Sequence, residues 1–262
     1  MKSMALIEHT LFGTINKVEA ALRRLKTFEP DEGYYLAFSG GKDSVVIKAL
    51  ADMAGVKYDA HYSVTGIDPP ELVRFIRDQH PDVQWERAEK PFLVRMQHRG
   101  VPIRHGRWCC EEYKEAGGEK RLVLTGVRWA ESGRRKKRMM VEACYNHPGK
   151  RFVHVIIDWK DEDVWQFIRD NSIPYCQLYD EGFKRLGCIA CPMQNAEQKR
   201  KELDRWPAME RAFRHSFRKL YANRKAQENP SIDRWPDGDA MFDWWISNES
   251  APKENDELGL FT

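Results

Sequence analysis

The sequence has no run of about 18 uncharged apolar residues, which excludes a helical integral membrane protein. It also has little net charge. Its 43 Lys and Arg stand against 40 Asp and Glu, a balance of +3, so no polycation obliged to bind nucleic acid or an anionic membrane is in view, although a local patch can still do so. Cysteine is scarce, six in 262 residues, far too few for a disulfide scaffold. The N-terminus, MKSMALIEHTLFG, lacks an apolar stretch ending in a small-residue cleavage site. No signal peptide is expected, and a cytoplasmic, reducing compartment without membrane attachment is. There, clustered cysteines are metal ligands or reactive thiols rather than staples. No internal repeat or low-complexity linker stands out. What the chain does have is 42% apolar residues and nine Trp, enough for a buried core and too many for disorder.

Ile7, Leu11, Ile15, Val18, Leu22 and Leu25 recur at three- and four-residue steps, which predicts a helix within residues 1–29. Strands are expected at YYLAF (34–38), at 57–64, at 83–88, at RLVLT (121–125) and at FVHVII (152–157). Helices are expected after Ser44, from Pro70 and from Asp161, whose first turn is acidic as the helix dipole favours. This alternation predicts an α/β layered fold, a mainly parallel twisted sheet with helices on both faces. Residues 195–228 read as amphipathic helix, and RWPDGDAMFDWWIS adds at most a short one. The expected domains are the helix of 1–29, a nucleotide and cysteine domain of 30–195, and a helical, Trp-rich appendage of 196–262.

Ser39, Gly40, Gly41, Lys42, Asp43 and Ser44 lie between the first strand of that sheet and a helix. The glycines allow a tight turn whose N–H groups can approach an anion, and the helix N-terminus adds partial positive charge. The serine hydroxyls can donate to phosphate. Lys42 can add a point charge or point to solvent, and Asp43 can hold Mg²⁺ or cap the helix. The spacing is not that of a GxxxxGK[ST] loop.

SGGKDS resembles the pyrophosphate loop of the adenine-nucleotide α-hydrolase superfamily. Further segments resemble the phosphoadenosine phosphosulfate (PAPS) reductase family in particular: TGIDPPELVRFI from Thr65, LTGVRWAESGRR from Leu124, and DWKDEDVWQFIRDNSIPYCQLYDEGFKRLGCIAC from Asp158. The resemblance spans roughly residues 30–195. It implies nucleotide contacts at Thr65, Gly66, Gly126 and Arg128, with Arg128 and Arg135 as clamps on phosphate or substrate and Asp43 beside them.

Cys109-Cys110 and Cys188-Ile189-Ala190-Cys191 make two pairs. By spacing, four thiolates suit a zinc site or an iron–sulfur cluster. The resemblance implies a [4Fe–4S] cluster, since family members that use adenylyl sulfate (APS), and related DNA phosphorothioation enzymes, carry CC…CxxC. Cys144 and Cys176 fit no pair. The family's reductases also carry a nucleophilic cysteine near the C-terminus, whereas no cysteine follows Cys191 here and the sequence ends NDELGLFT. That departure turns the expectation from sulfonucleotide reduction toward ATP-driven sulfur transfer. In that chemistry ATP adenylates an oxygen, pyrophosphate leaves, and sulfur from a partner such as a cysteine desulfurase displaces AMP. DNA is the favoured acceptor over tRNA. An APS or PAPS reductase and a non-catalytic nucleotide-binding scaffold remain alternatives. Arg134-Arg135-Lys136-Lys137-Arg138 is a solvated loop or a phosphate contact. Trp206, Trp235, Trp244 and Trp245 are expected to pack the appendage or an interface rather than stack bases.

Overall fold

A computed structural model describes residues 6–10 and 13–250. The chain forms two compact units, one from residues 1–63, 70–86 and 116–186, the other from residues 64–69, 87–115 and 187–262.

The first unit opens with a hairpin, β1 (Ile7–Thr10) and β2 (Gly13–Asn16), paired antiparallel from Ile7↔Asn16 to Thr10↔Gly13. The expected N-terminal helix therefore begins only at Lys17, as α1 (Lys17–Thr27). Asn16 ends the strand and caps the helix, its side chain accepting from the Val18 and Glu19 amides, a contact typically worth about 1 kcal/mol. The apolar periodicity misled because Ile7 and Ile15 are surface residues, 49% and 43% exposed.

The main sheet has six strands in the order β5-β4-β3-β6-β8-β7. They are β3 (Tyr34–Ala37), β4 (Tyr58–Val64), β5 (Gln84–Arg87), β6 (Leu122–Leu124), β7 (Val141–Ala143) and β8 (Arg151–Val153). β3 runs parallel to β4 and β6, β6 parallel to β8, and β7 antiparallel to β8. The α/β expectation holds. Two strand readings change. β7 was not anticipated, and FVHVII stops being a strand after Val153, because the chain turns there, the Ile157 amide donating to the His154 carbonyl. Helices α2 (Lys42–Ala54), α3 (Pro70–Gln79) and α6 (Asp161–Asp170) follow β3, β4 and β8. α1 and α6 pack against α2. Leu36, Val46, Ile47, Leu50, Leu124, Val153 and Trp159 are buried to within 0–2% exposure and form the core. Chain order reverses between β3 and β6, since β3 leads outward to β4 on one side while β6 leads to β8 on the other. The carboxyl ends of two such strands open a crevice where ligands bind in sheets of this kind.

The second unit carries α4 (Phe92–Arg99), α5 (Trp108–Tyr113), α7 (Ala196–Arg205), α8 (Pro207–Ala226) and α9 (Gly238–Ser247). The expected helical stretch of 195–228 breaks at Trp206-Pro207, where proline opens α8 at a position that needs no N–H. Phe213, Phe217, Phe242 and Trp245 interlock between α8 and α9, with Phe217 5.3 Å from Phe242 and 5.5 Å from Trp245. Trp245 and Trp206 thus pack a helical core, as expected. Residues 187–191 belong to this unit, so the cysteines group with the C-terminal helices rather than with the loop at Ser39.

Candidate functional site

The loop Ser39–Ser44 leaves β3 at the crevice and enters α2. Gly40 sits at φ +70, and a Cβ there would lie 2.7 Å from Ile76 Cγ1 and 2.8 Å from Leu72 Cδ1, so only glycine fits. Ser44 points inward. Its hydroxyl donates to the Gly41 carbonyl at 2.8 Å, and its oxygen lies 3.3 Å from both the Ser39 amide and the Ser39 hydroxyl. Ser44 therefore shapes the loop, while Ser39 is exposed. Gly41 caps α2 without a side-chain cap of its own, which leaves backbone donors other than the Lys42 amide, and the helix dipole, for an anion.

Arg128, 2% exposed, organises the charges around the loop. Its Nε donates to Asp43 Oδ1 at 2.7 Å and its Nη2 to Asp161 Oδ1 at 2.9 Å, while Nη1 reaches the Trp159 carbonyl at 3.4 Å. Lys42 is buried rather than solvated. Its Nζ lies 3.2 Å from Asp161 Oδ1 and 3.9 Å from Asp43 Oδ2, donates to the Lys184 carbonyl, and sits 5.7 Å above the Tyr179 ring. Burial pushes the Asp43 carboxyl up, against the pull of Arg128 and Lys42. Burial also acts on Asp161, but Lys42 and Arg128 outweigh it and hold that carboxyl low. Two carboxylates with opposite shifts thus face one pair of cations beside the Ser39–Ser44 loop.

Gly126 follows β6 and passes so close that a Cβ would stand 2.6 Å from the Cβ of Asp43. Arg135 does not reach the loop in this arrangement. It pairs with Glu131, which in turn accepts from the Arg128 amide at 2.9 Å. Tyr179 was not anticipated. Its hydroxyl accepts from the Lys42 amide at 2.9 Å, and burial pushes that phenol up. The LYDEG segment that carries Tyr179 was the available signal, as was the DEDVW segment for Asp161.

In the second unit, Cys109 and Cys110 on α5 and Cys188 and Cys191 ahead of α7 line one cavity of about 50 Å³. Ile67, Phe92, Tyr113 and Trp245 are among its apolar walls. Thr65 lines it too, and its hydroxyl donates to Asp68 at 2.7 Å, while Gly66 turns at φ +76. The Cys110 thiol is lowered to about 6 by its hydrogen bond from Cys109, aided by Arg107 and Lys114, and Cys109 is raised in return. Burial pushes Cys188 up to about 12. The Cys188–Cys191 loop is pinned by α7. Glu202, 4% exposed, accepts from the Ala190 amide at 2.8 Å, and Ala190 is held at φ +54. Lys199 donates to the Trp245 carbonyl and the Asn248 side chain, tying α7 to α9.

Among the described residues no three His, Cys, Asp or Glu side chains stand ready around a single ion. The donor chemistry, four thiols in one apolar cavity, suits a sulfur-loving centre. The room exceeds the roughly 10–15 Å³ that a single water-sized occupant needs. Cys144 is half-buried near the end of β7, and Cys176 is buried with its thiol pushed up by that burial. No described helix is long and apolar enough to cross a membrane.

Residues 33–194 match the model of the phosphoadenosine phosphosulfate reductase domain. An uncharacterized protein of Methanocaldococcus jannaschii is 32% identical over 172 residues, covering 62% of this chain and 42% of its own length. The chain likewise spans only 35% of a second relative from that organism. Adenosine 5'-phosphosulfate reductase of Staphylococcus epidermidis is 28% identical over 201 residues, covering 69% of this chain and 78% of that protein. The crystal structure of phosphoadenylyl-sulfate reductase from Candida auris aligns at a TM-score of 0.49 and 18% identity, over 66% of this chain and 88% of that one.

Proposed function

The chain belongs to the phosphoadenosine phosphosulfate reductase domain family, and on that footing we propose that it is an ATP-using enzyme that releases pyrophosphate and serves sulfur transfer to a nucleic acid. One observation carries the reading. Asp43 and Asp161 both face Lys42 and Arg128 at the mouth of the phosphate loop. Two carboxylates beside a phosphate cradle are the hard oxygen ligands that Mg²⁺ takes when it accompanies a polyphosphate. Bound there, Mg²⁺ would supply positive charge to the leaving pyrophosphate. The loop's backbone N–H groups and the N-terminus of α2 would bind the same phosphates, and Lys42 and Arg128 would offset charge that develops on them. Adenylation makes AMP the leaving group, which sulfur from a desulfurase partner then displaces. DNA phosphorothioation is one such thio-modification, and DNA is the first acceptor to test.

Cys109, Cys110, Cys188 and Cys191 would hold a [4Fe–4S] cluster, each vicinal cysteine taking its own iron corner. The S. epidermidis relative favours a second reading, APS or PAPS reduction with sulfite as product. Against it stands the thiol inventory of these 262 residues. Outside the two pairs only Cys144 and Cys176 remain, and burial makes Cys176 a poor nucleophile.

The test is product analysis after anaerobic incubation with Mg²⁺ and ATP, APS or PAPS in parallel. AMP and pyrophosphate from ATP, lost in Asp43→Asn, support the ATP reading. Sulfite released from APS or PAPS in the presence of thiol, with ATP untouched, replaces it with the reductase. Tight nucleotide binding without any product would mark a scaffold subunit.

A further inference from the structure

Beside the phosphate loop lies a hydrogen-bonded chain that none of this chemistry uses. Thr125 directly follows β6, His154 directly follows β8, and Glu142 lies in β7. His154 is 0% exposed. Its Nδ1 stands 2.6 Å from Thr125 Oγ1 and its Nε2 stands 3.1 Å from Glu142 Oε1. Phe152 stacks on the imidazole at 6.1 Å with an angle of 11° between the rings. The charged groups that face the ring are Glu142 and Arg138, themselves paired at 2.5 Å. Burial holds the imidazole below its ordinary value, against Glu142. At neutral pH the ring therefore carries a single proton.

The position of that proton decides what Thr125 can do. An ionised Glu142 only accepts, so it draws the N–H to Nε2 and leaves Nδ1 bare. The Thr125 carbonyl competes by favouring a proton on Nδ1, but a proton there as well would charge a fully buried ring. A bare Nδ1 accepts the Thr125 hydroxyl proton. With its one proton committed, Thr125 Oγ1 presents lone pairs to whatever approaches it. A phosphate oxygen gains nothing from them, whereas a group bearing a proton does. Thr125 is only half-buried, and Gly126, the next residue, touches Asp43 of the phosphate loop.

We propose that Thr125, His154 and Glu142 form a proton relay opening on the phosphate-loop crevice, and that the acceptor is a molecule that sheds a proton as its oxygen attacks: water or a hydroxyl from the oxygen itself, or a nucleobase lactam from the neighbouring ring nitrogen. The inference rests on the ATP reading. As the acceptor oxygen bonds to the α-phosphorus, the proton the acceptor sheds, from that oxygen or from the lactam nitrogen, passes to Thr125 Oγ1, and the Thr125 proton passes to His154 Nδ1. Glu142 stabilises the resulting imidazolium, and pyrophosphate departs with the electron pair of the broken P–O bond. A phosphodiester oxygen brings no proton, so the relay selects a base or hydroxyl acceptor over a DNA backbone.

Two measurements test this. In ¹⁵N-histidine NMR of the full chain at pH 7, His154 is expected as the Nε2–H tautomer, with the Nδ1 resonance shifting in Thr125→Val. A ring protonated on Nδ1, or on both nitrogens, overturns the relay whatever the enzyme turns out to do. AMP formation from Mg²⁺-ATP is then followed from pH 5 to 8 with water, total tRNA and duplex DNA as acceptors. Thr125→Val and His154→Gln are expected to lower kcat at least tenfold, to leave KM for ATP within twofold, and to lose the acid limb of the wild-type profile. Thr125→Ser is expected to keep both. Unchanged kcat and pH profile in Thr125→Val overturn the relay, as does a phosphorothioate linkage formed in the DNA. No AMP from wild-type protein with any of the three acceptors overturns the ATP reading, and the NMR result shows whether the hydrogen-bond chain itself survives.

Discussion

Replacing Arg128 by methionine keeps the length of an apolar stem and removes a guanidinium that is only 3% exposed. Two carboxylates lose their partner, and they are not equal. Asp161 is 54% exposed, so its share is that of a surface pair, about 1 kcal/mol or less. Asp43 is 23% exposed and stays beside the buried end of α2. Stranding one partner of a buried pair costs about 3–5 kcal/mol. Lys42, 3.9 Å from Asp43, offsets part of this. The expected loss at pH 7 is therefore about 3 kcal/mol, near the lower end of that range. The pH dependence has a definite sign. Burial already raises Asp43 in the native state, and removal of Arg128 raises it further. Over the interval between the unfolded and folded values the native variant binds more protons than the unfolded chain, so its stability rises as pH falls. The deficit against wild type should shrink between pH 7 and pH 5. Amide hydrogen exchange in β3 and β6 reads the first unit separately from the second. A deficit below about 1 kcal/mol at pH 7, the surface-pair value, or one of constant size down to pH 5, would refute the account of Arg128 as the neutraliser of a buried carboxylate.

Gly40→Ala forces a side chain into the φ +70 conformation and onto Ile76 and Leu72, at a conformational cost of roughly 1–2 kcal/mol before the clash is counted. Isothermal titration should show weakened binding of Mg²⁺-ATP, and wild-type affinity would show that the loop does not need this turn. Glu202→Ala removes the acceptor that holds the Ala190 amide, so the Cys188–Cys191 loop should loosen and iron per chain after anaerobic reconstitution should fall below half of wild type. Glu202→Gln should retain more iron than Glu202→Ala, and equal iron in all three proteins would remove Glu202 from the site. Burial lowers Lys199 from 10.5 to about 8, so between those values the native state binds fewer protons than the unfolded chain. The second unit should gain stability as pH rises through that window, and Lys199→Met should abolish the gain. Exchange rates in α7 that are flat with pH in the wild type would contradict this.

The parts of the site that were legible in the sequence are those whose chemistry is contiguous. SGGKDS places two glycines, two hydroxyls and a helix start within six residues, and local turn sterics dictate the rest. The cysteine pairs were legible for the same reason, and the structure gathers all four around one cavity. What lay hidden is supplied from far along the chain. Asp161 and Tyr179 are more than 100 residues from the loop they serve, and nothing local distinguishes Asp161 from the other acids that open α6. Lys42 could not be assigned from its neighbours either, because its burial depends on Asp161, Tyr179 and the Lys184 carbonyl. The hairpin of residues 7–16 was lost to a period-of-four coincidence, since its isoleucines face outward and periodicity registers hydrophobicity without showing where it points. Strand β7 escaped because its pairing with β8, not a pattern of its own, defines it.

The same long-range contributions explain why Arg128 could be read as a residue of interest but not as a device. Three of its five N–H donors go to Asp43, Asp161 and the Trp159 carbonyl, which leaves fewer for a phosphate. A cation that took the two carboxylate oxygens would return those donors to the crevice at the moment a polyphosphate arrives. Metal and nucleotide would then bind with positive cooperativity, each releasing what the other needs. An arginine alone beside a phosphate loop would bind nucleotide without metal, and two aspartates alone would repel it. On the ATP reading, the triad of Asp43, Arg128 and Asp161 would make nucleotide binding conditional, as an enzyme needs if its phosphates must be coupled to a divalent ion before any bond is broken.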